Sequence, residues 1–399
     1  MIYKKLILVL ICISALLSCT NRAWEGITDE QYDDLDEGTP VPVVISMGNH
    51  QDSFTKGTGA VDPEDGKLWK NVDLYVYAFQ RGSETYSHLA SENNSTTLVD
   101  GSIDNPESLF GRKATYDGLD SYIAWSNTNL DVYYPLGKQP FDFFAYYIDD
   151  APVDASTISR TNTSISFPIE IDGSRDIMTA YADFSEDQVA GRGFSPDEIQ
   201  TLEEYSFSSW TARRNVNPTL QFKHHLTRLR FEVYPGLPNS DKVYVNELRV
   251  KSKASAQFTV AASDPSQMGL DFSISSTLSD LFLCEQDGSP LKQNTYHPLY
   301  EENDTKDIFD RPGVQVGGTL LVAPDTSYEI YVTTFEARDG GKISYAPPFT
   351  INLESGFKPG YQYVVKMAVY EMMTVNISVE VEPWGTGGYI IIDSDKEYY

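Results

Sequence analysis

Two stretches of the chain alternate strictly between apolar and polar residues, and that pattern admits few architectures. In TRLRFEV, Leu229, Phe231 and Val233 fall on one side, and Arg228, Arg230 and Glu232 on the other. In VNISVEVEPW, Val375, Ile377, Val379 and Val381 alternate with Asn376, Ser378, Glu380 and Glu382. Successive side chains of a strand point to opposite faces, so a period of two needs one dry face and one wet face. The pattern predicts antiparallel sheets packed as a sandwich. LYVYAF (Leu74 to Phe79) and FDFFAYY (Phe141 to Tyr147) differ, being apolar on both faces. They read as strands buried between layers.

The rest of the chain supports a β class. Its 26 Tyr and 19 Phe suit strands. Clusters of Gly, Asn, Ser and Asp between the apolar runs read as loops. One helix is signalled, in SPDEIQTLEEY: Ser195 caps it, Pro196 takes the first helical position, and Glu198 completes a capping box. GGTLLVAPD carries two glycines without a following Walker-type lysine and reads as a turn before a strand. At 399 residues the chain holds two or three domains. We place a leader at 1–18, an acidic tether at 19–39, and two β-sandwich domains at 40–212 and 213–399. No internal repeat of fixed period is visible.

The leader has a basic start, Lys4 and Lys5, and an apolar run from Leu6 to Leu17 that is too short to span a bilayer. Ser18 precedes Cys19, a pattern similar to a bacterial lipobox, which makes Cys19 the lipidation site. Cys12 leaves with the leader and Cys19 is acylated. Cys284 alone remains, so no internal disulfide can form. We expect Cys284, in DLFLCEQ, to act as a small buried hydrophobe. The tether EGITDEQYDDLDEGTP has too few apolar residues to pack, and no Lys or Arg occurs between Arg22 and Lys56. Acidic residues outnumber basic ones 58 to 30, a net charge of −28, which argues against nucleic acid and anionic membrane surfaces as partners.

No catalytic constellation emerges. His224 and His225 are adjacent at the start of a strand, so they face opposite ways and cannot chelate one metal. His50, His88 and His297 lie in polar, loop-like stretches. CxxC, HExxH and GxSxG are all missing from the sequence. Asp149 with Asp150, and Asp307 with Asp310, do not have EF-hand spacing. No metal, no cofactor and no catalytic residue is expected. Trp24, Trp69, Trp125, Trp210 and Trp384 are scattered. They either pack between strands or form a glycan-binding platform.

Several motifs stand in one order: the lipobox; VPVVIS followed by SFTKGTGA; DVYYPLGKQPFDFFAYY; SRDIMTAYA; LQFKHHLTRLRFEVYPG; FKPGYQYVVKMAV; and VNISVEVEPWGTGG. This series resembles the fimbrillin-like lipoproteins, the subunits of type V pili and their relatives. The resemblance runs over most of the chain. It implies an all-β fold of two tandem transthyretin-like antiparallel β-sandwich domains, and delivery to the outer membrane and cell surface through a lipid anchor. It implies other fimbrillin-like subunits as partners, with a host-surface protein or glycan as a further one. In the family a trypsin-like surface protease cuts after the first strand, and a strand from the next subunit fills the groove left behind. The plug strand here would be Val41, Val43, Val44 and Ile45. The first basic sites are Arg22, which would release the lipid alone, and Lys56, which would also remove the plug. The family's polymerising members are cut after arginine, so Lys56 departs from the pattern and is equally well an ordinary loop lysine. Behind the glycines 385, 387 and 388, Tyr389, Ile390, Ile391 and Ile392 form a β-prone run that must be covered. It either pairs at home or is donated to a neighbour. The alternative to a pilus subunit is a permanently anchored, glycan-binding surface lipoprotein.

Overall fold

The computed structural model describes residues 39–47 and 71–383, apart from short gaps at 94, 118–121, 150–152, 239–241, 275–276, 302–304, 337–340, 346–347 and 372–373. The described chain is built of strands in five sheets, and the all-β class expected from the alternation is observed.

The largest sheet runs β2 (Ser46–Met47), β12 (Thr219–His224), β11 (Ile177–Ala182), β8 (Phe141–Ile148), β3 (Val72–Gln80), β5 (Arg112–Tyr116) and β6 (Ala124–Trp125), with β4 (Thr97–Val99) also on β3. A two-stranded ribbon pairs β1 (Val41–Pro42) with β7 (Tyr133–Tyr134). A third sheet runs β16 (Gly269–Asp271), β15 (Ser255–Ala262), β10 (Ser164–Glu170) and β9 (Ser159–Arg160). The fourth runs β18 (Val314–Val322), β13 (Thr227–Pro235), β22 (Tyr361–Glu371) and β23 (Thr374–Pro383). The fifth runs β17 (Leu278–Phe282), β14 (Val243–Lys253), β19 (Asp325–Glu336) and β20 (Lys342–Tyr345), with β21 (Phe349–Phe357) also on β19.

The two doubly apolar stretches are β3 and β8, the centre of the largest sheet, and each feeds two cores. On one face Leu74, Val76, Phe141, Phe143, Ala145, Met178 and Leu220 form the first core. On the other, Tyr77, Phe79, Phe144 and Tyr146 meet Phe167 of β10 and Phe258 of β15. Tyr146, Phe167 and Phe258 lie edge to face, with ring centroids 5.5–6.0 Å apart. This second core continues into the fourth and fifth sheets through Leu229, Phe231, Val233, Leu248, Val250, Ile330 and Val365.

The dry face expected in TRLRFEV is present, and in the second stretch the described apolar side chains follow the pattern. Leu229, Phe231 and Val233 are fully buried, and Val379 and Val381 pack on the same core. The wet face of β13 is drier than its sequence suggests. Arg230 and Glu232 form a partly buried ion pair at 3.1 Å, and Arg228 is buried. Pairing is antiparallel except for β2–β12 and β13–β22, which are parallel.

β12, expected in the second domain, covers the edge of β11. β14 and β15 run through Ala254 from the fifth sheet into the third, where β15 pairs with all of β10. The helix is found where expected, α1 (Pro196–Glu204), with Ser195 and Glu198 forming the capping box. A one-turn helix, α2 (Ser209–Ala212), follows it. GGTLLV is not a turn: Gly317 and Gly318 lie inside β18, opposite a register shift in β13. Gly317 has φ +58, and a Cβ there would sit 2.8 Å from the Cys284 carbonyl. Only glycine fits such a bulge.

Candidate functional site: the seat of the first strand

The segment 39–47 lies between two walls. Prolines 40 and 42 cannot donate to a ladder, which limits its regular pairing to short runs. Side chains still alternate. Val43, Ile45 and Met47 are 5%, 1% and 6% exposed and point into the first core, beside Leu74, Phe143 and Leu220. Val41 packs against the edge of that core, and Val44 turns outward to line a cleft. Two of the four plug residues named from sequence are therefore core residues. Met47, one step further in the same period, was missed, although the alternation of 43 and 45 pointed to it.

Backbone bonds hold the segment on both sides. Val43 N donates to Val132 O at 2.8 Å, and Ile123 N donates to Ile45 O at 3.1 Å. On the opposite side Ser46 N donates to Pro218 O at 2.8 Å, and Ser46 and Met47 run parallel to Thr219 and Leu220. Arg213 donates from Nη2 to Thr39 O at 2.7 Å, fixing the entry. Val41 and Pro42 pair with Tyr134 and Tyr133. Tyr134 is buried edge-on against Phe143, and burial pushes its phenol pKa up.

The segment thus closes the largest sheet on itself. It touches β12 at one edge and Tyr122–Ile123, next to β6, at the other. A cleft of about 810 Å³ runs along its outer side, lined by Pro42, Val44, Tyr122, Arg213 and Thr219 among others. A second, of about 600 Å³, lies beside Pro40, Tyr133 and Leu136.

The remaining candidates are not brought together. Cys19, Arg22, Lys56 and the run Tyr389, Ile390, Ile391 and Ile392 lie outside the described residues, as do Trp24, Trp69, Trp384, His50 and Asp150. His224 and His225 each have a separate partner. His224 Nδ1 is 2.7 Å from Asp176 Oδ2, and His225 Nε2 is 2.7 Å from Thr179 Oγ1. Burial, then the charges of His224 and Lys223, lowers His225 to about 4. Trp125 lies under the Arg112 guanidinium at 4.7 Å. Trp210 is flanked by Lys138 at 4.6 Å and Arg214 at 4.1 Å. Cation contacts already occupy both rings. Cys284 is half-buried rather than buried, and burial raises its thiol pKa. Among the described residues no His, Cys, Asp and Glu group has the geometry to hold a metal ion.

The geometry defines a class: an all-β protein whose largest sheet is closed by the chain's own first strand. The chain belongs to the fimbrillin-like family, whose model matches residues 99–384. Among solved structures it is similar to a candidate cell adhesion protein from Bacteroides uniformis, at 13% identity and a TM-score of 0.46 over 88% of this chain and 100% of that one. It is also similar to the fimbrial anchor protein Mfa2 from Porphyromonas gingivalis, at 10% identity and 0.33 over 88% and 100%. A further likeness is to the C-terminally truncated tip fimbrial protein Mfa3 from the same organism, at 8% and 0.32 over 86% and 99%. No curated protein matches the chain in sequence.

Proposed function

We propose that this chain is a structural or accessory subunit of a surface pilus, or an adhesin associated with one, and that its first strand is a removable plug. The observation that carries this reading is the double role of segment 39–47: its side chains fill a core while its backbone bridges two walls. Losing it would uncover the places of Val43, Ile45 and Met47, each worth about 1.5–3 kcal/mol of burial. It would also leave Val132 O, Pro218 O and Ile123 N without partners. A sheet in that state is unstable in water and accepts a strand.

In this reading Cys19 is lipidated and carries the chain to the outer membrane. Cutting at Arg22 frees the lipid, and cutting at Lys56 frees the plug as well. Tyr389, Ile390, Ile391 and Ile392 form the strand offered to another fimbrillin-like subunit. The two-domain division is part of the same proposal, with β15 and β16 lent by the second half to the sheet of the first. The role assigned is structural, with no catalytic residue.

Mass spectrometry of the N-terminus, on protein from intact cells, tests the reading. A terminus at Gly57, in chains linked into polymers, is the expected result. An acylated Cys19 as the sole terminus would overturn the removable plug and leave a permanently anchored subunit.

A further inference from the structure

The two walls of the seat are unlike. One is β12, a strand paired along five residues with β11. The other, residues 122–134, is mostly loop. Its β7 pairs, among the described residues, with β1 alone, and its β6 meets β5 over just two residue pairs. Tyr122, Leu130 and Tyr133, all in this wall, are exposed large hydrophobics. A wall with so little ladder and so much exposed apolar surface has low local stability unless something else holds it.

Val132 and Tyr134 anchor the wall's far end in the first core, and Arg112 ties down the stretch before them. Arg112 begins β5 and is completely buried. Its Nη2 donates to the carbonyls of Leu130 and Asn127, the latter at 3.4 Å. Its Nε and Nη2 meet the Asp104 carboxylate at 3.3 and 3.1 Å. Its plane covers the Trp125 ring. One guanidinium thus grips the wall at Trp125, Asn127 and Leu130. Two residues past Leu130, the Val132 carbonyl receives Val43 N.

We propose that Arg112 is the positioning residue of the seat, and that residues 122–134 form a clasp that opens before the β12 side when the first strand leaves. Removing the guanidinium takes from two carbonyls and the part-exposed Asp104 carboxylate the donor they share, and empties the fully buried place at their centre. The penalty falls on the clasp, because β12 shares none of these contacts. The inference deepens the plug reading, but its geometry does not depend on assembly.

The test is hydrogen exchange, read residue by residue, on the full chain and its Arg112→Met, Arg112→Lys and Asp104→Asn variants. The Val43 and Ile123 amides report on the clasp, Ser46 on the β12 side, and the amides of β13 on the distant sheet. In Arg112→Met we expect Val43 and Ile123 to exchange at least tenfold faster relative to Ser46 and β13. Asp104→Asn should show a smaller shift of the same kind. Arg112→Lys, which keeps the charge but cannot reach all the acceptors at once, should fall between. Equal acceleration of Ser46 would mean the guanidinium merely stabilises the whole fold. Unchanged ratios would mean the clasp stands by itself. Either result overturns the inference. If Arg112→Met does not fold, the other two variants decide by the same ratio. A chain that shows the ratio yet never polymerises would sink the assembly reading and leave the clasp standing.

Discussion

The first strand and β13 are buried to nearly the same degree but held in different ways. Ile45 and Met47 are 1% and 6% exposed, and Leu229 and Phe231 are at 0%. Yet β13 pairs along its length with β18 on one side and β22 on the other. The first strand has two-residue pairings and isolated bonds. Side-chain burial sets how much a segment stabilises the fold. The number of backbone bonds, and whether they lie in one continuous ladder, sets how readily it leaves. The two segments separate those quantities within one molecule.

The comparison can be broken or sharpened by measurement. The largest effect is expected from Phe231→Ala, which should cost about 3–5 kcal/mol in denaturant unfolding, because β13 cannot detach without the whole sandwich opening. A loss smaller than that of Ile45→Ala would end the distinction.

Acid comes next and acts where the largest sheet meets the third. His225 touches Thr179 of β11, Phe258 of β15 and Gly269 of β16. Its folded value, about 4, lies below the ordinary 6.5. The unfolded chain therefore takes up the proton first as pH falls. The stability tied to neutral His225 is complete above pH 6.5 and lost between 6.5 and 4, about 3 kcal/mol in all. Unfolding midpoints across that window should fall for the native chain and stay flatter for His225→Asn. Equal slopes would place the acid sensitivity elsewhere.

Ile45→Ala is expected to cost about 2–3 kcal/mol at most, since a weakly stitched segment can leave locally instead of unfolding the chain. Hydrogen exchange should rise at Ile123 and Val43 while β13 stays protected. Protection lost at both places would show the two segments to be one cooperative unit. The smallest effect should come from Ser195→Ala, about 1 kcal/mol, confined to α1 and silent in both sheets.

The sequence made the two-faced strands legible. The period of two, or a run apolar on both faces, is a property of one segment read alone. Leu229, Phe231 and Val233 needed no partner to be placed, and the capping box of Ser195 and Glu198 spans four residues. What escaped depends on distant partners. Nothing in GRKATY marks Arg112 as buried, because its acceptors are two main-chain carbonyls and a carboxylate on other loops. The parallel pairing of β13 with β22 depends on which strands become neighbours, and the local pattern does not encode that. Gly317 looked like a turn glycine because turns and bulges draw on the same freedom of φ. Of the seat, Val43 and Ile45 were visible and its walls were not.

The passage of the chain through Ala254 has a mechanical consequence. β14 and β15 are one continuous backbone lying in two different sheets, so a pull that separates those sheets travels through covalent bonds. It meets the seven paired residues of β10 and β15 side by side. Such a ladder is strained all along its length at once, in shear, where a peeled edge would give way one bond at a time. Tension along the molecule is therefore resisted where the strand crosses, and the two-residue contacts of the first strand yield far sooner.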